Sequence, residues 1–222
     1  LVTAGTKVVV SGAVVAISDA LTVSEVNAIT AATSGVVTAT ISNTAISDLI
    51  GVSETGNALA MTVATTTVSA SDLISLNAAT TVAVNAAAVT RVNGSVANAK
   101  TLITAVGSNE ITGLSTAQFR LSDTGSNTTD DILTITSFTS GRVTSFAETY
   151  VGSVAAFGST SSAASFFGLI NSNDLITNSS FAIELTAESS VTAAVLQDIL
   201  SSITALNFNV SVDATAVAAI TG

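Results

Sequence analysis

Histidine, cysteine, proline and tryptophan are absent from all 222 residues. Without histidine the most common general acid–base of enzymes is missing, and every Ser-His-Asp or Cys-His constellation is excluded. Without cysteine there are no disulfides, thiolate metal sites or thiol nucleophiles. Without proline nothing removes a backbone donor from a β-ladder. Aromatic side chains make up only 4% of the chain, so a core must come from Ala, Val, Ile and Leu. Charged residues are 9%, against about 25% in an ordinary soluble domain. The polar surface therefore falls to Thr, Ser and Asn, which suit turns and hydroxyl-rich β faces.

The few basic residues, Lys7, Arg91, Lys100, Arg120 and Arg142, are scattered, and the net charge is -10. Nucleic-acid binding needs a basic footprint and is not expected. An acidic surface favours solubility and attracts divalent cations. At 48% apolar with little charge, the chain does not have the composition of a disordered protein. Thr, Ser or Asn interrupts every long apolar run, so no membrane span is expected. Neither a P-loop nor a dinucleotide fingerprint is present. A chain opening on Leu1 rather than Met is expected to be processed or a piece of a longer polypeptide.

What is present is a repeat. Thr22–Ile41, Thr44–Val63 and Thr67–Val84 each read as a hydroxyl start, a short apolar-periodic segment, a turn and an alternating strand. Asn93–Leu114 is a weaker fourth copy. Val26, Leu49 and Leu73 share one position, 23 and 24 residues apart. Ser24-Glu25, Ser47-Asp48 and Ser71-Asp72 recur before the strands, as expected of helix starts. One strand per unit of about 23–26 residues predicts a β-rich α/β chain: a parallel β-solenoid with short helices or turns between strands over residues 1–114. Residues 115–174 depart from the pattern and hold six of the eight Phe residues, an irregular segment in which Leu133–Phe138 reads as a strand. Residues 175–222 read as a terminal β-α-β unit: strands around Phe181–Leu185 and Val210–Val212 flank a helix begun by Ser190.

For chemistry, Asp130-Asp131 is the one adjacent acidic pair, and on a strand its members would face opposite ways. No catalytic residue is assigned and no enzyme is expected. The strongest constellation is Asp123–Asp131, whose Asp123, Asn127, Asp130 and Asp131 offer hard oxygen ligands around Gly125. Calcium takes such donors in flexible loops, although the spacing is not that of an EF-hand. A plain acidic loop is the alternative.

Val68–Ile103 resembles repeats in large secreted bacterial surface proteins, cyanobacterial giant cell-surface and S-layer-type proteins above all. Asp131–Ser145 also resembles the segment after calcium-binding repeats in proteins exported by type I secretion, with Gly141-Arg142 where that pattern has Gly before Asp-Lys. The resemblance implies export, assembly and an extracellular or cell-surface site, and it carries no catalytic residues. The expected function is a self-assembling structural subunit of a bacterial filament, sheath or surface layer. The alternative is an adhesin or phage-fibre type module that contacts surface glycans. End-to-end assembly is expected to run through Val8–Val10 and Ala216–Ile220.

Overall fold

The structure, a computed structural model, describes residues 12–186, 191–213 and 220–221. It divides into two compact units. One comprises the described residues up to Thr90 with Thr104–Leu114; the other comprises Arg91–Ile103 with the described residues from Ser115 on.

The first unit alternates short strands and helices: β1 (Val15–Leu21), α1 (Val23–Thr30), β2 (Val37–Ile41), α2 (Ile46–Leu49), β3 (Ala58–Ala60), β4 (Thr67–Ser69), α3 (Ala70–Ala79) and β5 (Val84–Asn85). The chain then passes through β6 (Arg91–Gly94) and α4 (Val96–Gly107), and returns with β7 (Ile111–Thr112). Helices α1 and α3 start on hydroxyl caps, whereas α2 starts at Ala45 without one. Thr22 accepts from the Glu25 N–H, and the Glu25 carboxylate accepts in return from the Thr22 N–H at 2.8 Å, a capping box. The Thr22 N–H and, after it, the Thr22 hydroxyl both donate to the Glu25 carboxylate and lower its pKa. Ser69 caps α3 by accepting from the Asp72 N–H. The caps thus lie two residues before Ser24 and Ser71. The repeat landmarks Val26, Leu49 and Leu73 are fully buried, each on its own helix.

β1, β2 and β3 run parallel in that order, with Val15 opposite Val37 and Ala39 opposite Leu59. Val37, Ala39 and Ile41 point inward while Thr38 and Thr40 face out. The expected parallel β-solenoid does not hold. β5, which the repeat sets beside β3 as a third rung, belongs to another sheet and pairs with β7. Only isolated bridges, Asn57 to Thr80 and Thr62 to Asn85, join it to the β3 region. At β3 a side chain stands in part where a strand partner would. The Thr80 hydroxyl accepts from the Leu59 N–H at 2.9 Å and donates to the Leu59 carbonyl at 2.8 Å, so a hydroxyl satisfies groups that a neighbouring strand would otherwise pair. The molecule is an α/β fold in which several parallel sheets are interleaved with eight helices among the described residues. Helices α3 and α4 span 10 and 12 residues, longer than the expected turns.

The second unit adds β8 (Gln118–Leu121), β9 (Ser126–Thr128), α5 (Thr129–Phe138), β10 (Val143–Thr144), β11 (Thr149–Gly152), α6 (Val154–Phe157), α7 (Phe166–Asn171), β12 (Leu175–Ile176), β13 (Ser180–Leu185), β14 (Val191–Thr192), α8 (Ala193–Leu206), β15 (Asn209–Asp213) and β16 (Ile220–Thr221). β6, β8, β10 and β12 lie side by side in one parallel sheet, and β9, β11, β13 and β15 in another. Phe181 stands opposite Val210 in the β13–β15 pair, so the two strands flanking α8 are parallel neighbours. β14 pairs with β16. Leu133–Phe138 is not a strand but the body of α5. Thr128 caps it by accepting from the Asp131 N–H, Asp130 and Asp131 sit in its first turn, and Ile132, Ile135 and Thr136 form its buried side. Ser190 lies outside the described residues, and Thr192 caps α8.

The Phe-containing segment supplies the core of this unit. Tyr150, Phe157, Phe166 and Phe167 are wholly buried, and Tyr150 packs on Phe166 and Phe181 with ring centroids 4.6 and 5.1 Å apart. The Tyr150 hydroxyl has no hydrogen bond of normal geometry. Burial raises its pKa to about 12, offset only in part by the nearby Ser145 hydroxyl.

Candidate functional site

The four residues singled out as calcium ligands do not converge. The Asp123 carboxylate accepts from the Val96 N–H at 2.7 Å, at the start of α4. Asn127 is buried in β9, and its amide donates to the Ser145 hydroxyl. Asp131 pairs with Lys100, tying α5 to α4. Asp130 is exposed in the first turn of α5. The stretch is a short loop, a strand and a helix start rather than one ligating loop. Among the described residues no cluster of three or more acidic side chains could hold a metal ion. These residues therefore do not fit a calcium site.

A different set of residues does converge. β6, β8 and β10 present their buried residues Val92, Phe119 and Val143 to the core. Strand alternation turns the next residue of each outward. Asn93 thus stands opposite Arg120, and Arg120 opposite Thr144. An open cleft of about 490 Å³ is lined by Asn93, Arg120 and Leu121 of these strands. Three loops complete the lining: Ser122 and Thr124 from one, Phe146 and Glu148 from a second, and Asn178 from a third.

The walls are fixed by backbone bonds. The Glu148 N–H donates to the carbonyls of Thr124 and Gly125 at 2.9 and 3.0 Å, and its carbonyl accepts from the Ala182 N–H at 2.7 Å. The Asn178 amide donates to the Phe146 carbonyl at 2.9 Å. The Ser122 N–H donates to the Gly94 carbonyl at 2.8 Å. The Arg120 guanidinium lies over the Phe146 ring, 4.6 Å from its centroid, which holds its planar fork of donors in place. Among the described residues no ion pair joins Arg120 to Glu148. The Asn93 carbonyl oxygen is buried without a hydrogen-bond partner. An orphaned buried acceptor of this kind costs about 1–3 kcal/mol.

Chemically the cleft offers fixed donors on Arg120, hydroxyls on Ser122 and Thr124, and acceptors on Asn93 and Glu148, beside a half-buried aromatic ring. That set suits recognition of a polyhydroxylated molecule. Sequence reasoning missed it, treating Arg120 as one scattered cation and Phe146 as packing. The signal that could have found it is the strand register, which needs both strands located before Asn93 and Arg120 become neighbours. No described helix is long and apolar enough to cross a membrane. No family model, curated protein or solved structure matches the chain.

Proposed function

We propose that this chain is a non-enzymatic module of the bacterial cell exterior that holds glycans in the cleft between β8 and the Phe146 loop. One observation carries the reading: Arg120, fixed on Phe146, faces the same cleft as the unpartnered Asn93 oxygen and Glu148. Donors and acceptors lining one cleft match the hydroxyls of a sugar. The hydroxyl-rich, weakly charged composition and the resemblance to secreted surface proteins agree with an extracellular role.

The self-assembling subunit is the second reading. It is favoured by β15, the outer strand of its sheet, none of whose five residues is buried. Its end-to-end form rests on Val8–Val10 and Ala216–Ile220, and these fall outside the described residues except Ile220. A glycan array probed with the purified chain and with Arg120→Ala separates the readings. Saccharide binding lost in the variant supports the cleft. Ordered filaments by negative-stain microscopy with no saccharide bound would favour the subunit and reject the glycan-binding reading.

A further inference from the structure

The chemistry of the cleft constrains its ligand further. It is lined by one cation, Arg120, and one anion, Glu148, so its own charges cancel, while the chain as a whole carries -10. Acceptors are in surplus: the Asn93 oxygen is unpartnered, and the Glu148 carboxylate makes no hydrogen bond to a described residue. A carboxylated or sulfated sugar would bring more acceptors and a like charge against Glu148. A neutral sugar brings hydroxyl donors to Glu148 and Asn93 and a hydroxyl acceptor to Arg120. We infer that the cleft is selective for neutral saccharides, gripping adjacent hydroxyls between the Arg120 guanidinium and the Glu148 carboxylate, with Asn93 taking a third hydroxyl. This rests on the glycan-binding reading and adds the substrate class to it.

The geometry assigns separate roles. Arg120 donates and cannot accept, Glu148 accepts and cannot donate; the Arg120 guanidinium is held on Phe146 and the Glu148 backbone by its own bonds, neither needing a ligand. Pre-organisation of this kind lowers the ordering cost of binding. Glu148 also repels acids, so selectivity arises from a repulsive element as well as an attractive one.

The test is titration calorimetry on the full chain with two sets of hexasaccharides: maltohexaose, cellohexaose and mannohexaose as neutral probes, hexagalacturonate and hexamannuronate as acidic ones. Arg120→Ala, Arg120→Lys and Glu148→Gln are run alongside, each checked by thermal melting. Both positions lie at the surface, and Arg120→Lys keeps the charge while removing the planar fork. Expected is binding of at least one neutral probe, with every acidic probe at least about tenfold weaker. Each of the three variants loses about tenfold or more, as removal of a charged hydrogen-bond partner does. Acidic probes binding more tightly than neutral ones, and tightening again in Glu148→Gln, would overturn the selectivity while leaving glycan binding intact. Failure of both probe sets, or equal binding by Arg120→Ala, would reject the cleft as a glycan site and the inference with it.

Discussion

Thr33, Thr80 and Thr139 do the same work at three places in the chain. Each accepts, at its hydroxyl, from the N–H two residues on: Gly35, Val82 and Gly141. Each also donates to a carbonyl roughly one repeat earlier, Ala13, Leu59 and Ala117, at 2.7, 2.8 and 2.6 Å. The threonine excess thus closes the ends of helical segments and ties them to the preceding strand. Thr139→Val keeps the shape and strands these partners, so it is expected to lower unfolding free energy by about 1–3 kcal/mol in urea melts, with Thr139→Ser restoring most of it. Gly141 is held by the same contact: a Cβ there would sit 2.5 Å from the Ala117 carbonyl oxygen, so no side chain fits. Tyr150 works the other way. Its buried hydroxyl lacks a normal partner, and Tyr150→Phe is expected to leave stability unchanged or raise it by about 1 kcal/mol at neutral pH. The folded pKa of about 12 lies above the unfolded value of 10.0. The neutral form is therefore favoured by folding, and its contribution is complete below pH 10 and lost as pH rises through 12. Urea melts from pH 9 to 11.5 should show wild-type stability falling more steeply than that of Tyr150→Phe; parallel curves would count against the buried neutral phenol.

At the scale of elements, helix starts are the best test of what fixes secondary structure here. Thr128 ends β9 and caps α5, and Thr128→Ala is expected to cost about 1 kcal/mol, read as a lower urea midpoint at unchanged slope. The same helix shows where sequence legibility stops. Leu133-Thr134-Ile135-Thr136 alternates apolar and polar like a strand. Yet Ile132, Ile135 and Thr136 keep helical spacing, and Thr134 and Thr136 donate to carbonyls four residues back. Period two and period 3.6 overlap over so short a stretch, and the acids at the helix start decide between them. The alternation at Val37, Ala39 and Ile41 was legible because one face is buried and the other wet. The stack of rungs was not legible, since it involves strands of only two or three residues, with the Thr80 hydroxyl bonded to the Leu59 backbone between them. The cleft was hidden for a related reason: Asn93, Arg120, Phe146 and Asn178 lie on different strands and loops, and register rather than spacing unites them.

At the scale of the whole molecule, charge sets what can approach. With five basic and fifteen acidic residues the net charge is -10, which opposes the approach of polyanions. A neutral saccharide feels no such field. Its affinity is expected to change less than about twofold between 50 and 500 mM salt, whereas a ligand held by net charge would weaken steeply over that range. The account's central claim, that a neutral saccharide is held by Arg120, Glu148 and Asn93, is tested most directly by nuclear magnetic resonance on the labelled protein. The Arg120 Nε–H and the side-chain amide of Asn93 are followed while maltohexaose, cellohexaose and mannohexaose are added in turn. Expected are saturable shifts at both groups with one of these sugars, and silence at Asn43, a half-buried asparagine of the first unit. Shifts confined to other residues, or no saturable shift with any of the three, would contradict the account.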